Sequence, residues 1–160
     1  MTRLDEFLKD SGIQNFSARE VLTLRRLGVT VDPPPEDWWP RIVPALKVAE
    51  DIRAHLGHPL IIGNGFRPPA ENKRAGGARR SQHLFFRAID LDLPRKSKTR
   101  EHQEEFYEIA AAIFLERGED LKMGLGLYRP WRGSRVHIDC GFRRRHWSKR
   151  YTSPLLESLR

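Results

Sequence analysis

Two short segments concentrate the side chains able to do chemistry. In "RRSQHLFFRAIDLDLP", residues 79 to 94, His83 lies in a basic loop preceded by glycines, and Asp90 and Asp92 alternate with Ile89, Leu91 and Leu93. In "RVHIDC", residues 135 to 140, His137 and Asp139 alternate with Val136, Ile138 and Cys140. Alternation of period two puts the polar members of each segment on one face of a strand and the apolar members on the other. If the two strands are neighbours, imidazoles and carboxylates converge on one surface that a loop histidine can reach. Such a donor set, with no cysteine in it, suits a zinc ion left open to water. The same residues also read as separate solvated acids and structural histidines. Spacing alone leaves both readings open.

The elements that position these residues can be read from capping and periodicity. Residues 16 to 28 predict a short helix with Ser17 as N-cap, Glu20 closing a capping box, Phe16 set to staple onto Val21, and Gly28 as the stop. After Pro33 to Pro35, the apolar residues Ile42, Leu46, Ala49, Ile52 and Leu56 recur at helical spacing and predict a core-facing helix over 41 to 56, ended by Gly57. "PLIIGNGFRPP" predicts a brief buried strand running into turns, which places Arg67 just past a strand end. A second long helix is expected over 99 to 117, through Phe106, Ile109, Ala110 and Ile113 to Gly118. Strands are expected at 123 to 128 and 135 to 140. The pattern describes one domain over residues 1 to 160, with 1 to 15 and 148 to 160 peripheral.

Composition bounds the function. A chain of 160 residues can enclose one core without disulfides, and its one cysteine, Cys140, excludes both an intrachain disulfide and a cysteine-rich zinc module. The first residues, "MTRLDEFLKDSG", lack the apolar stretch of a secretion signal, and no run approaches membrane-spanning length. The expectation is a protein cytoplasmic as synthesised. A net charge of +8 attracts polyanions. Nucleic acid, anionic cell-wall polymers and membrane surfaces all qualify, as does a generally basic, soluble surface with no specific partner. The cluster "FRRRHWSKRY", residues 142 to 151, suits stacking on bases or a tail packed on its own domain.

The segment "SQHLFFRAID", residues 81 to 90, resembles the S-x-H-x-x-G-x-A-x-D motif of the D-alanyl-D-alanine metallopeptidase family, zinc peptidases related to lysostaphin-type enzymes and to the hedgehog signalling domain. "GLGLY", "RVHIDCG" and "HW" are similar to its G-x-G-x-Y, V-H-x-D-x-G and closing tryptophan, in the branch with murein endopeptidases and phage lysis enzymes. "NFSAREV" and "GNGFRPPAENKRAGGARRSQH" resemble the N-terminal helix and the G-[YF]-R loop of that branch.

The resemblance implies an α+β fold, a small antiparallel sheet with helices packed on one side, holding one zinc. It implies His83, Asp90 and His137 as metal ligands, with Asp139 on the same face as the alternative to His137. Arg67 looks like the family's substrate-binding arginine, able to grip a carboxylate or carbonyl with its planar fork. Zinc with three protein ligands lowers the pKa of a bound water toward about 7. Asp139 is then the nearest proton acceptor, and Arg67 and His146 are the available donors to a developing oxyanion. Asp92 is expected near the metal or on the surface, outside the ligand set.

The implied work is cleavage of peptide bonds in peptidoglycan stem peptides, as carboxypeptidase or endopeptidase, by a phage or prophage lysis protein or virion component that reaches the wall by another route. Anionic wall polymers are possible partners and nucleic acid is not expected. An inactive zinc-bearing module is the alternative. The chain departs from the family at Phe86, where the motif has glycine, and at Ser134, where many members carry an acid. The ring of Phe86 is expected to pack beneath the site on an ordinary backbone.

Overall fold

The computed structural model describes residues 1–128, 135–149, 151 and 153–157. Ser134 lies outside them.

The chain opens with helix α1 (Arg3–Asp10), started by a capping box between Thr2 and Asp5 and burying Leu4 and Leu8. Helix α2 (Ala18–Leu22) has the expected capping box, in which Ser17 and Glu20 satisfy each other's backbone N–H groups. It is shorter than its periodicity suggested. At Thr23 the chain turns extended, and β1 (Thr23–Leu24) pairs antiparallel with β2 (Val29–Thr30). Gly28, expected as a helix stop, takes a φ of 66° in the turn of this hairpin. The side chains explain the switch: the Thr23 and Thr30 hydroxyls hydrogen-bond at 3.0 Å, and Leu24 is fully buried.

Helix α3 (Val43–Leu56) and helix α5 (Arg100–Arg117) follow their predicted spans closely. Gly57 ends α3 at φ 68°, and Thr99 caps α5 through the His102 N–H. Between them lie β3 (Ile61–Asn64), α4 (Pro69–Arg74), a 3-10 turn at Gln82–Phe85 and β4 (Ala88–Asp92). Then come β5 (Gly124–Tyr128), β6 (Arg135–Asp139), β7 (Arg145–Lys149) and a last turn of helix, α6 (Pro154–Glu157).

A five-stranded sheet of order β3-β4-β6-β5-β7 forms the centre. Every pair is antiparallel except β5 with β7, which run parallel at one edge. Thus the small antiparallel sheet is present with one parallel strand added, drawn from the basic C-terminal cluster. One face carries Ile89, Leu91, Leu125, Leu127, Val136 and Ile138, all fully buried, with α3 packed on β4 and α5 on β5. Burial of each such side chain stabilises the fold by about 1.5 to 3 kcal/mol. The terminal segments, expected at the periphery, are tied into this core through Leu4, Leu8, Ile13 and Leu156. Among the described residues no helix is long and apolar enough to cross a membrane.

Register sets up the opposite face. Asp90 pairs with His137 across β4 and β6, and Ala88 pairs with Asp139. On the other flank Gly126 pairs with His137 and Gly124 with Asp139. The polar face of the two central strands is therefore bordered by small residues.

Candidate metal centre

His83, Asp90 and His137 come together as three buried side chains whose donor atoms all lie within 4.8 Å of one another. Asp90 and His137 are cross-strand partners, so the sheet fixes their separation. His83 arrives from the 3-10 turn that leads into β4. Its Nε2 lies 3.5 Å from Asp90 Oδ1, and His137 Nδ1 lies 3.1 Å from the same oxygen.

Each candidate ligand has an outer partner that leaves one donor atom pointing inward. His83 Nδ1 donates to the Gly65 carbonyl at 2.7 Å, which leaves the Nε2 lone pair free. Asp90 Oδ2 accepts from Asn64 Nδ2 at 2.9 Å and from Arg135 Nη1 at 3.3 Å, which leaves Oδ1 toward the imidazoles. His137 Nε2 lies 3.0 Å from Asp139 Oδ2, with Nδ1 toward the cluster. Two imidazoles and a carboxylate, each oriented by a hydrogen bond behind it, form a donor set that fits zinc with a coordination position to spare.

The electrostatics follow from burial and charge together. Burial raises the Asp90 carboxyl, but the two histidines outweigh it and hold its pKa well below the ordinary carboxylate range. Burial lowers His83, and the attraction of Asp90 only partly offsets this, so its neutral form is favoured. Burial also works to lower His137, yet hydrogen bonds to Asp139 and Asp90 carry its pKa upward. The two rings meet edge to face with centroids 5.0 Å apart.

Arg67 stands beside the cluster. Its backbone N–H donates to the His83 carbonyl at 3.1 Å and its Nη2 donates to Ser81 Oγ at 3.3 Å. Burial lowers its pKa, partly countered by the Asp90 carboxylate, and Arg135 is near enough to add a second positive charge. Asp139 is fully buried, and Arg145 donates to both of its oxygens. Asp92 is not part of the trio: it accepts from Lys98 Nζ at 2.9 and 2.7 Å and from the Leu93 N–H.

His146 is not brought to the site. It pairs with Leu125 on the core face, and its ring lies edge-on to Phe114 of α5 with centroids 5.7 Å apart. Strand alternation gives the metal face to Arg145 and Trp147 instead. The Trp147 ring stands 5.2 Å from that of His137. Phe86 is fully buried, with its ring edge-on to Phe66, as expected for a packed aromatic. Its backbone is not ordinary. At φ 54° and ψ 43° it adopts the left-handed conformation that glycine takes without cost.

The sequence model of the peptidase M15 family matches residues 14–114 of the chain. The protein belongs to the peptidase M15 family. Peptidases of this family are zinc-dependent, in agreement with the donor set found here. The matched stretch of the M15 peptidase contains Arg67, His83 and Asp90 and ends before β6, so His137 enters through the strand register. No curated protein matches the chain.

Asn64, Arg135 and Arg145 were not anticipated as parts of the site. Arg145 had a sequence signal only if "RHW" is taken as a strand, since alternation then puts it on one face with Trp147, matching the two glycines spaced by two in "GLGLY". Asn64 and Arg135 had none, because only pairing reveals which residue backs Asp90.

Proposed function

We propose that this M15 peptidase hydrolyses peptide bonds in the stem peptides of bacterial peptidoglycan, with zinc held by His83, Asp90 and His137. The observation that carries the reading is the buried trio itself, with one inward donor atom per residue and a hydrogen-bond partner behind each. Zinc in such a site supplies Lewis acidity toward a carbonyl oxygen and lowers the pKa of water toward about 7. Arg67, on the same loop as the Gly65 carbonyl, is suited to grip a carboxylate or carbonyl of the bound peptide. A net charge of +8 favours approach to anionic wall polymers.

Phe86 supports an active rather than a purely structural centre. Where the family motif has glycine, this chain keeps a left-handed backbone despite the added side chain, so the turn carrying His83 retains the geometry a glycine would give it. A phage or prophage lysis protein is the setting we favour for such an enzyme, acting as carboxypeptidase or endopeptidase.

Metal analysis of the purified protein, combined with mass spectrometry of muropeptides digested with and without chelator, tests the proposal. Stoichiometric zinc and chelator-sensitive cleavage are expected, and the mass of the products separates removal of a terminal residue from internal cleavage. Zinc without turnover would assign the protein as a binding or structural module.

A further inference from the structure

Strand β7 contributes to the metal face only because β5 leaves room for it. Arg145 and Trp147 pair with Gly124 and Gly126. A Cβ at Gly124 would run into the Asp139 carboxylate and lie 2.9 Å from Arg145 Cζ, and one at Gly126 would lie 2.6 Å from the Trp147 ring. Those distances are too short for any side chain, so glycine is what opens the passage. Through it the Arg145 guanidinium crosses one strand and grips Asp139 on the next, Nη1 to Oδ1 at 3.1 Å and Nη2 to Oδ2 at 2.6 Å. This two-point geometry is specific to arginine.

Asp139 in turn faces His137, Oδ2 lying 3.0 Å from Nε2. With Nε2–H donated to the carboxylate, the nitrogen left for a metal is Nδ1, the one turned toward Asp90. A proton acceptor in hydrolysis has to come within hydrogen-bond reach of the group that loses the proton, about 2.6 to 3.2 Å or one water away. Asp139 is fully buried behind His137, and both of its oxygens are engaged.

We propose that Arg145 is a positioning residue of the metal centre, an inference that rests on the zinc reading above. By holding both oxygens of Asp139 it fixes the tautomer and rotation of the His137 ring, and it makes Asp139 a support for a ligand rather than the proton acceptor. The chain Arg145, Asp139, His137 then runs across β7, β5 and β6 to the metal. Gly124 is required in it as the gap.

The test uses the full chain stripped of metal, titrated with zinc against a chromophoric chelator and with Co(II), whose visible spectrum reports ligand geometry. Arg145→Gln is expected to weaken zinc binding about 10- to 100-fold and to alter the Co(II) spectrum. Arg145→Lys, which keeps the charge without the fork, is expected to restore part of the loss. On an Asp139→Asn background the same Arg145→Gln change is expected to add less than about twofold, because both act through one path. A folded Arg145→Gln protein with parental zinc affinity and Co(II) spectrum overturns the proposal. So does full additivity with Asp139→Asn, or an Asp139→Asn protein with parental zinc affinity and lost turnover, which would return Asp139 to the role of proton acceptor. If circular dichroism shows Arg145→Gln unfolded, Arg145→Lys decides: a severalfold loss supports the two-point grip and parental affinity overturns it. A parent protein that binds no zinc overturns the metal reading itself, whatever Arg145 does.

Discussion

His83 is carried by a short helical turn and oriented by the backbone carbonyl of Gly65, whereas His137 is carried by a central strand and oriented by the side chain of Asp139. The two arms deliver their rings to the same carboxylate, Asp90. Their supports differ in kind. A backbone carbonyl cannot be deleted by substitution and carries no net charge, so burial dominates and His83 is shifted toward its neutral form. A carboxylate can be deleted, and its hydrogen bond, together with that of Asp90, reverses the effect of burial at His137. The loop arm is thus vulnerable through its backbone conformation and the sheet arm through its side chains.

The largest effect expected is common to both arms. His83→Ala, His137→Ala and Asp90→Ala should each reduce zinc from stoichiometric to trace, since two remaining ligands make a weak site. Metal analysis after gel filtration checks this. Stoichiometric zinc in His137→Ala would confine the centre to the loop arm and leave the cross-strand pairing without a function.

Next comes the backbone of the loop arm. Phe86→Gly should relieve left-handed strain of about 1 to 2 kcal/mol but lose a buried ring worth about 3 to 5 kcal/mol. The net expectation is a protein about 2 to 3 kcal/mol less stable, with Tm lowered by roughly 5 to 10 °C and zinc no tighter. Thermal unfolding and zinc titration measure both. A variant as stable as the parent with tighter zinc would mean that strain, not packing, governs the turn under His83.

The end of the sheet arm is testable through Cys140. Burial first, and the Asp139 charge second, push its thiol up to about 12. A raised pKa contributes stability that is fully present below the unfolded value near 9 and fades as pH rises from there toward about 12. Native protein at pH 8 should therefore react with a disulfide reagent far more slowly than protein unfolded in guanidinium. Equal rates would show that the end of β6 opens readily in the native protein.

The smallest effect is expected at Asp92. Asp92→Asn weakens a part-exposed pair with Lys98 worth at most about 1 kcal/mol, and zinc affinity should stay within about twofold. Loss of metal would displace the strand register by two residues.

Much of this was legible because alternation and capping are local facts. In "RAIDLDLP" and "RVHIDC" the alternation alone put Asp90, His137 and Asp139 on one face, and the structure pairs those strands with Asp90 opposite His137. The capping box at Ser17 was equally local. What escaped depends on contacts distant in sequence. Helix α2 stops early because Thr23 and Leu24 find partners at Thr30 and Val29. Arg145 and Trp147 acquire their places because β7 docks beside β5, and nothing in the run "FRRRHWSKRY" announces a parallel strand. His146 was drawn toward the chemistry by residue type alone, and one step of alternation turned it to the helices.

Arg67 N–H binds the His83 carbonyl, His83 Nδ1 binds the Gly65 carbonyl, and the Arg67 fork reaches Ser81, so residues 65 to 67 and 81 to 83 are stitched edge to edge. The guanidinium proposed to meet the peptide and the imidazole proposed to hold the metal therefore belong to two segments joined by hydrogen bonds. Under the proposed function, an arriving peptide would meet an anchor and a metal arm whose backbones are already joined, with less rotational freedom left to freeze. Tolerance for substrates of a different length between anchor and scissile bond should be correspondingly narrow.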